Sequence, residues 1–314
     1  MEKKILVYGA GAVGLGITTC LMGNRVIPHI VVRTIQKEEI LREGVYKKGI
    51  FGEKHYTIEE ENLITNIVDS EKAYDYILIC VKSTDSDEVA RTIFEKIGRC
   101  ENTNFILFQN GWGNSEIFSK YFDKNNIYNG RVITGFSRPK SNTVTITVHS
   151  DDIKIGSLYH NNLSNLDYIV KNINKNGIPC SISNDISKDI WAKLLYNSAL
   201  NPLGAIFKVN YGELIKSRYT KEIIDNIISE IFNVMEKAGY KTNWNNDKEY
   251  LNDFYSKIVP PTYEHESSML QDIRANKKTE IDFLNGAIVK LAKNLDVDVR
   301  TNETIVNMIK FIKG

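Results

Sequence analysis

The sequence predicts an α/β N-terminal domain of the Rossmann dinucleotide-binding type, followed by an all-α C-terminal domain. A short apolar run leads directly into Gly9, Gly11 and Gly14, which match the GxGxxG spacing. Strand-like and helix-like stretches then alternate, until the hydrophobic period becomes almost entirely helical. We therefore expect a cofactor-binding domain over residues 1–183 and a helical substrate and catalytic domain over residues 184–314.

The composition is that of an ordinary globular protein and favours no polyanionic partner. The 314 residues are 42% hydrophobic, and 40 Lys and Arg balance 39 Asp and Glu. This balance gives no electrostatic reason to expect nucleic acid or a membrane as a partner. The apolar run near the N-terminus is too short for a signal peptide, and no apolar stretch approaches a membrane span. We therefore expect a cytoplasmic protein.

The cysteines and histidines predict neither a disulfide framework nor a metal site. The four cysteines lie far apart and form no CxxC pair, which favours buried reduced thiols. The five histidines include no HxxxH or other ligand-spaced pair. The sequence therefore gives no support for metal catalysis.

The glycine turn is the first candidate site, because it lies between a predicted strand and a predicted helix. The first glycine permits a tight turn, the second lets the backbone approach a pyrophosphate, and the third allows close helix–strand packing. Amides at the start of the helix can donate to phosphate. A tight turn without a ligand is the alternative, but the strand–turn–helix order favours a dinucleotide. The candidate cofactor residues are Gly9, Ala10, Gly11, Ala12, Val13 and Gly14.

Arg33 is the candidate that selects the cofactor. It ends the second predicted strand, residues 27–33, where an NAD site usually carries Asp or Glu for the ribose hydroxyls. A guanidinium can pair with the 2′-phosphate that a carboxylate would repel. The sequence therefore favours NADPH, with a solvated strand-end arginine as the alternative.

Two further polar residues follow predicted buried strands. Lys82 follows the strand 75–81, and Asn110 follows the strand 104–108. Ligands bind at the carboxyl ends of strands in open α/β sheets, so both are candidates. For Asn110 the alternative is turn chemistry, because Asn-Gly is a strong turn former.

The remaining strand patterns are shorter. Residues 45–58 resemble a hairpin inserted in the sheet, and residues 131–134, 143–148 and 152–155 resemble strands that finish the same sheet. Pro139 and its polar neighbours indicate an antiparallel hairpin.

The C-terminal half opens with a polar stripe on an otherwise apolar helix. Lys193, Asn197 and Asn201 are spaced four and four, so their side chains share one helix face. One ammonium beside two amides suits a polar ligand that develops negative charge on oxygen. The alternative is a helix that breaks or kinks near Pro202, with the asparagines as caps.

Near the chain's end, several residues have helix-capping spacing. Ser267 or Ser268 can cap one helix, and Thr279 can cap another with Asp282 in a capping-box spacing. Glu280 would then lie in a first helical turn. Taken alone, Ser268 is a cap and Glu280 is a surface acid.

These pieces together resemble the ketopantoate reductase family, the NADPH-dependent enzymes of pantothenate synthesis. The similarity covers most of the chain, and the last two of its motifs are long and specific. The motifs are GAGAVG at 9–14, VKS at 81–83, QNG at 109–111, WAKLLYNSALNP at 191–202 and SSMLQDIRANKKTEID at 267–282.

The resemblance implies a role for each candidate. It assigns catalysis to Lys193 and Glu280, and an active site between an N-terminal Rossmann domain and a C-terminal helical domain. It assigns substrate contacts to Asn197, Asn201, Ser268 and Asn110. It assigns cofactor contacts to Gly9–Gly14, Arg33, Lys82, Asn110 and Glu280. One position departs from the family: Tyr211 stands before Gly-Glu-Leu, where many members have asparagine.

The residues and the resemblance predict hydride transfer from NADPH to the ketone carbon of 2-dehydropantoate, with Lys193 as general acid. Glu280 is expected to orient Lys193. Because of Tyr211, a different small 2-oxo acid is an alternative substrate. A non-catalytic NADPH-binding regulator is a second alternative, which the intact Lys193–Glu280 pair disfavours. The sequence leaves the oligomeric state open, a homodimer included.

Overall fold

A computed structural model describes residues 3–67, 73–175 and 177–313. The chain divides into two compact units. The first consists of Met1–Gln109 and Asn114–Ile186, and the second of Asn110–Gly113 and Ser187–Gly314. The assignment of cofactor binding to residues 1–183, and of substrate binding and catalysis to residues 184–314, stays a prediction.

The first unit is built on an eight-stranded sheet. Its strand order is β12-β11-β8-β7-β6-β1-β2-β5, and all neighbouring pairs are parallel except β8 with β11. These strands are β1 (Ile5–Tyr8), β2 (His29–Val31), β5 (Leu63–Ile64), β6 (Tyr76–Ile79), β7 (Asn104–Leu107), β8 (Ile127–Arg131), β11 (Ile153–Gly156) and β12 (Cys180–Ile182). Every residue of β6 is buried, as expected for a parallel strand covered on both faces.

Helices cover both faces of this sheet. They are α1 (Ala12–Met22), α2 (Thr34–Glu43), α3 (Ser86–Ile97), α4 (Asn114–Phe118) and α5 (Asp167–Asn174). Val7 of β1 belongs to the core shared with α1 and α5, whereas the next side chain back, Leu6, belongs to the core shared with α3 and α4. Successive strand residues point to opposite faces, so the two cores lie on opposite sides of the sheet. The predicted α/β class is confirmed.

A second, four-stranded sheet corrects one expectation. Its order is β4-β3-β10-β9, and its strands are β3 (Val45–Gly49), β4 (Lys54–Tyr56), β9 (Thr134–Lys140) and β10 (Thr143–His149). Residues 45–58 do form an antiparallel hairpin, but it is not inserted in the main sheet. The 143–148 strand does not finish the main sheet either, because it pairs with β3 and β9. The expected hairpin around Pro139 is confirmed as β9 with β10.

The separate sheet forms because only one face of these strands is apolar. Val45, Val144 and Ile146 are buried in the same core as Leu15 and Ile17 of α1. The alternate residues of β10 are Thr143, Thr145 and Thr147, which are less suited than Val or Ile to burial between two helix layers. The second sheet therefore packs on α1 with its apolar face.

The second unit is helical, as predicted. Its helices are α6 (Ile186–Phe207), α7 (Tyr211–Lys216), α8 (Arg218–Ala238), α9 (Asp247–Asp253), α10 (Ser268–Arg274), α11 (Asn285–Leu295) and α12 (Arg300–Lys313). Ser217, which has extended backbone angles, separates α7 from α8. Gly239 ends α8 in the left-handed conformation with φ 74°, which glycine adopts most readily at a helix C-terminus.

A break or a kink was expected at Pro202, and the break is wrong, since α6 is a single helix of 22 residues that contains this proline. A proline lacks the N–H that would bond to the carbonyl four residues earlier, here that of Ser198. Nδ2 of Asn285 donates to this carbonyl at 3.0 Å. A buried side chain of α11 thus replaces the missing backbone donor and lets the helix continue.

All four cysteines are thiols and not disulfides, as expected, and all except Cys100 are buried. Burial raises the pKa of the Cys20 thiol to about 12, so it stays protonated at neutral pH. Within the described ranges, no helix has the length and hydropathy needed to cross a membrane.

Candidate active site

The glycine turn joins β1 to α1 with little free space. Gly9 has φ 106°, and a side chain there would collide with Val81. A Cβ on Gly14 would collide with the carbonyl of Gly9. Gly11 is the N-cap of α1, and no side chain caps this helix start. Because the first amides of a helix have no intrahelical acceptor, the turn offers donors suited to a phosphate.

Arg33 lies two residues beyond the end of β2, where it is the N-cap residue of α2 and is exposed. Its side chain makes no cap hydrogen bond. The positive guanidinium and the N-terminus of α2 therefore lie at the carboxyl end of β2. This is the edge of a Rossmann sheet at which the adenosine ribose binds.

Lys82 lies three residues beyond the end of β6 and is the N-cap residue of the 3-10 turn Ser83–Asp85. Nε2 of Gln109 donates to Oγ of Ser86 at 2.7 Å and lies 3.4 Å from the carbonyl oxygen of Lys82. These bonds tie the chain after β6 to the chain after β7. The sequence did not single out Gln109, although its position before Asn110 at a strand end was a usable signal.

The polar stripe of α6 forms as predicted. Asn197 and Asn201 are buried, and Lys193 is half-buried. Most residues around the stripe are apolar, and Leu194, Leu195 and Leu200 have little or no solvent-exposed surface. A side-chain ammonium in such surroundings must be compensated by polar partners.

Asn110 provides the link between Lys193 and Glu280. Nζ of Lys193 donates to Oδ1 of Asn110 at 2.5 Å. Nδ2 of Asn110 in turn donates to Oε2 of Glu280 at 3.0 Å. A cation, an amide and a carboxylate thus form one hydrogen-bonded chain within the second unit.

The segment that carries Asn110 is fixed against the segment that carries Glu280. The amide of Trp112 donates to the carbonyl of Phe283 at 2.9 Å. Gly111 has φ 80°, and a Cβ there would collide with the same carbonyl. The Trp112 ring packs on Trp191 with 5.1 Å between ring centroids. The chain therefore bends at Asn110 and Gly111, and the Asn110 side chain belongs to the candidate site.

Glu280 is not the surface acid that the capping pattern suggested. It is only 5% exposed and precedes the short 3-10 turn Ile281–Phe283. No side chain caps this turn, so the expected capping by Thr279 with Asp282 is wrong. The Glu280 carboxylate is buried beside Asn110. A capping role at a helix start would not require this burial.

Ser267, and not Ser268, caps α10. Oγ of Ser267 accepts from the amide of Leu270 at 3.0 Å, and Ser267 is buried. Ser268 is the first helical residue and is exposed. Its hydroxyl forms no hydrogen bond with any described residue, so it can still contact a ligand.

Tyr211, the position that departs from the family pattern, is bonded directly to the stripe. Its hydroxyl donates to Oδ1 of Asn201 at 2.5 Å, and its side chain is 2% exposed. Burial raises the pKa of Tyr211 well above its ordinary value, so it remains a donor. The ring meets Tyr196 edge to face, with 5.8 Å between centroids. The Asn201 side chain thus accepts from Tyr211 and does not cap the chain near Pro202.

The candidate residues therefore form two sets. Lys193, Asn110 and Glu280 are bonded together in the second unit, and Asn197 and Asn201 lie along the same face of α6. The cofactor candidates of the first unit, Gly9–Gly14, Arg33 and Lys82, follow the carboxyl ends of β1, β2 and β6. In the described part of the chain, no group of three or more His, Cys, Asp or Glu side chains is arranged to hold a metal ion.

Comparison with known proteins gives the family. Residues 5–160 match the family model described as ketopantoate reductase PanE/ApbA, and residues 185–313 match the model of its C-terminal domain. The chain is 36% identical to 2-dehydropantoate 2-reductase of Aquifex aeolicus, over 99% of this chain and 97% of that protein. It is 28% identical to the enzyme of the same name from Archaeoglobus fulgidus, over 99% and 98% of the two chains. The chain belongs to the ketopantoate reductase family.

Solved structures show the same fold. A PanE/ApbA family ketopantoate reductase from Ralstonia eutropha superposes with a TM-score of 0.85 at 22% identity, covering 99% of this chain and 98% of that one. D-mandelate dehydrogenase in a ternary structure with NADH and anilino(oxo)acetate superposes with a TM-score of 0.87 at 21% identity, with the same coverage. The family's fold thus also occurs in an enzyme whose name gives a different substrate.

Proposed function

We propose that this protein reduces 2-dehydropantoate to pantoate with NADPH, in pantothenate and coenzyme A synthesis. The observation that carries the proposal is the hydrogen-bonded chain from Lys193 through Asn110 to Glu280. It presents an ammonium, a proton donor, in a mostly apolar setting. The full-length similarity to proteins named 2-dehydropantoate 2-reductase supports the substrate.

The first unit holds the cofactor in this proposal. The glycine turn and the free amides of α1 receive the pyrophosphate, and Arg33 pairs with the 2′-phosphate. Lys82 and Asn110 add polar contacts along the strand ends. D-mandelate dehydrogenase, which has a similar fold, was solved with NADH, and this supports a nicotinamide dinucleotide as the cofactor. Arg33 in place of an acidic residue favours NADPH. Bound NADPH supplies the hydride.

Lys193 acts as the general acid. Its Nζ hydrogen-bonds the ketone oxygen and gives up a proton as negative charge develops there. Glu280 balances the ammonium charge and, through Asn110, fixes the direction of Nζ. Asn197, Asn201 and Ser268 bind the polar ends of the substrate and fix which face of the ketone is attacked.

A different small 2-oxo acid is the second candidate substrate. Tyr211 occupies the position of a family asparagine and has Oδ1 of Asn201 as its partner. Because Oδ1 of Asn201 already accepts from Tyr211, the Nδ2 donors are its better groups for the substrate, and an acceptor such as a carboxylate or a hydroxyl lone pair fits best. This constraint does not require the hydroxymethyl tail of 2-dehydropantoate.

A kinetic assay tests these proposals together. NADPH absorbance is followed on adding 2-dehydropantoate, pyruvate or benzoylformate to the purified protein. We expect the highest kcat/KM with 2-dehydropantoate. A higher kcat/KM with another 2-oxo acid would favour the second candidate. Binding of NADPH without its oxidation under any of these acids would indicate a non-catalytic regulator.

A further inference from the structure

The hairpin of β9 and β10 is fixed against the glycine turn and the start of α2. Nε2 of the buried Gln36 donates to the carbonyl of Ala10 at 2.9 Å and to the carbonyl of Ser141 at 2.7 Å. The Phe136 ring occupies the space beside Gly16 of α1, where a Cβ would collide with it. The hairpin is therefore connected through Gln36 to Ala10 of the candidate cofactor site.

Arg138 lies at an irregularity of this hairpin. Ser137 pairs with Thr145 and Lys140 pairs with Thr143, so three steps along β9 correspond to two along β10. Arg138 and Pro139 are the residues between these pairs. A bulge of this kind re-aims side chains and is common beside binding sites.

Arg138 and Arg33 lie on segments that meet, since Ser141 at the end of β9 is bonded to Gln36, one helical turn after Arg33. Loss of hydration and the positive charge of Arg33 both lower the pKa of Arg138, with Glu39 acting in the opposite direction. Both arginines are exposed. Among the described residues, no carboxylate lies within ion-pair distance of either guanidinium. Two neighbouring cations without a paired anion repel each other, and a bound anion would relieve this repulsion.

We infer that Arg138 is a second guanidinium for the 2′-phosphate of NADPH, placed opposite Arg33 by the β9–β10 hairpin. The inference rests on the proposed NADPH specificity. Arg33 reaches the phosphate from the end of β2, and Arg138 reaches it from the second sheet. A phosphate has enough acceptor oxygens for two guanidinium forks. The second sheet thereby takes part in cofactor selection.

The dissociation constants of NADPH and NADH, measured by calorimetry, test this inference. Arg138→Ala is expected to weaken NADPH about tenfold, since a charge-assisted hydrogen bond contributes that much to affinity. It should leave NADH within about twofold. Arg138→Lys keeps the positive charge but lacks the planar guanidinium. Its dissociation constant for NADPH should lie between those of the wild type and Arg138→Ala. Arg33→Ala should show the same selectivity as Arg138→Ala.

Arg42→Ala is the matched control, because it removes one exposed arginine from α2, where Arg42 is paired with Glu43. It should leave both constants unchanged. If the wild-type protein prefers NADPH and Arg138→Ala keeps the same preference, Arg138 has no role in cofactor selection, while the cofactor proposal stands. A wild-type protein without NADPH preference would overturn the cofactor proposal and this inference together. Equal weakening of both cofactors would show that Arg138 does not read the 2′-phosphate, and near-identical thermal unfolding curves would exclude misfolding.

Discussion

Nζ of Lys193 lies 2.5 Å from Oδ1 of Asn110, although these residues are far apart in the sequence. Asn110 reaches this position because the segment Asn110–Gly113 leaves the strand β7 and becomes part of the helical unit. The turn at Gly111 and the Trp112 amide fix this segment on the Phe283 carbonyl. The position of the ammonium therefore depends on backbone contacts that involve neither Lys193 nor Glu280.

Replacing Lys193 by Ala should lower kcat by about 10²–10⁴-fold, since that is the usual contribution of a positioned general acid. Steady-state NADPH oxidation with saturating substrate measures this effect. Lys237→Ala, at an exposed position of α8, is the matched control and should retain wild-type kcat. A Lys193→Ala variant with raised KM and unchanged kcat would assign Lys193 to substrate binding alone.

Asn110→Ala should lower kcat by about 10²-fold, because Lys193 loses the acceptor that directs it and small displacements of a catalytic group are costly. Asn110→Asp separates the two bonds of this side chain. It keeps an acceptor for Lys193 but places a second carboxylate against Glu280, whose Oε2 lies 3.0 Å from Nδ2 of Asn110.

We expect Asn110→Asp to be slower than wild type because the link to Glu280 is replaced by repulsion. The kcat of both variants is compared at several pH values with that of the wild type. If Asn110→Asp has wild-type kcat throughout, the bond to Glu280 has no role in catalysis. Wild-type kcat in Asn110→Ala would remove Asn110 from the mechanism.

Tyr211→Phe tests whether the tyrosine hydroxyl fixes the donor orientation of Asn201. The variant leaves Oδ1 of the buried Asn201 without its 2.5 Å partner. The amide can then turn and present its oxygen, so discrimination among 2-oxo acids should fall about tenfold, equivalent to one hydrogen bond. The measurement is the ratio of kcat/KM for 2-dehydropantoate to that for pyruvate. Tyr196→Phe, which removes a neighbouring hydroxyl bonded to Thr262, is the control. An unchanged ratio in Tyr211→Phe would show that Tyr211 does not act through Asn201.

Much of the fold follows from local sequence pattern. The glycine turn and the apolar run of β6 identify a Rossmann-type unit because each is a short segment whose burial and period are visible in the residues themselves. The second sheet was missed because β3 pairs in parallel with β10, about a hundred residues later. No local pattern specifies such a partner.

In the candidate site too, some features follow from local sequence pattern and others depend on long-range contacts. Lys193, Asn197 and Asn201 lie on one face of a helix, so their spacing alone places them together. The bond from Asn110 to Glu280 and the bond from Tyr211 to Asn201 depend on tertiary packing, and local spacing does not specify either pair. Arg138 was missed for a related reason, since a bulge in a surface hairpin determines its direction.

The continuation of α6 through Pro202 leads to a prediction about stability. Nδ2 of Asn285, which is fully buried, donates both to the carbonyl of Ser198 and to Oδ1 of Asn302, each at 3.0 Å. Asn285→Ala leaves two buried acceptors without this donor. The free energy of unfolding should fall by about 1–3 kcal/mol, the cost of unsatisfied buried polar groups. Urea denaturation measures this difference.

A second substitution separates the Ser198 bond from the rest. Pro202→Ala restores the backbone N–H that bonds to the Ser198 carbonyl in an ordinary helix. Pro202→Ala should therefore raise the free energy of unfolding by about 1 kcal/mol more in the Asn285→Ala background than in the wild-type background. A double-mutant cycle measures this coupling. The expected coupling arises because either donor, the Asn285 amide or the restored backbone N–H, satisfies the same carbonyl. Strict additivity of the two substitutions would show that Asn285 does not compensate for Pro202, and that α6 tolerates this proline for another reason.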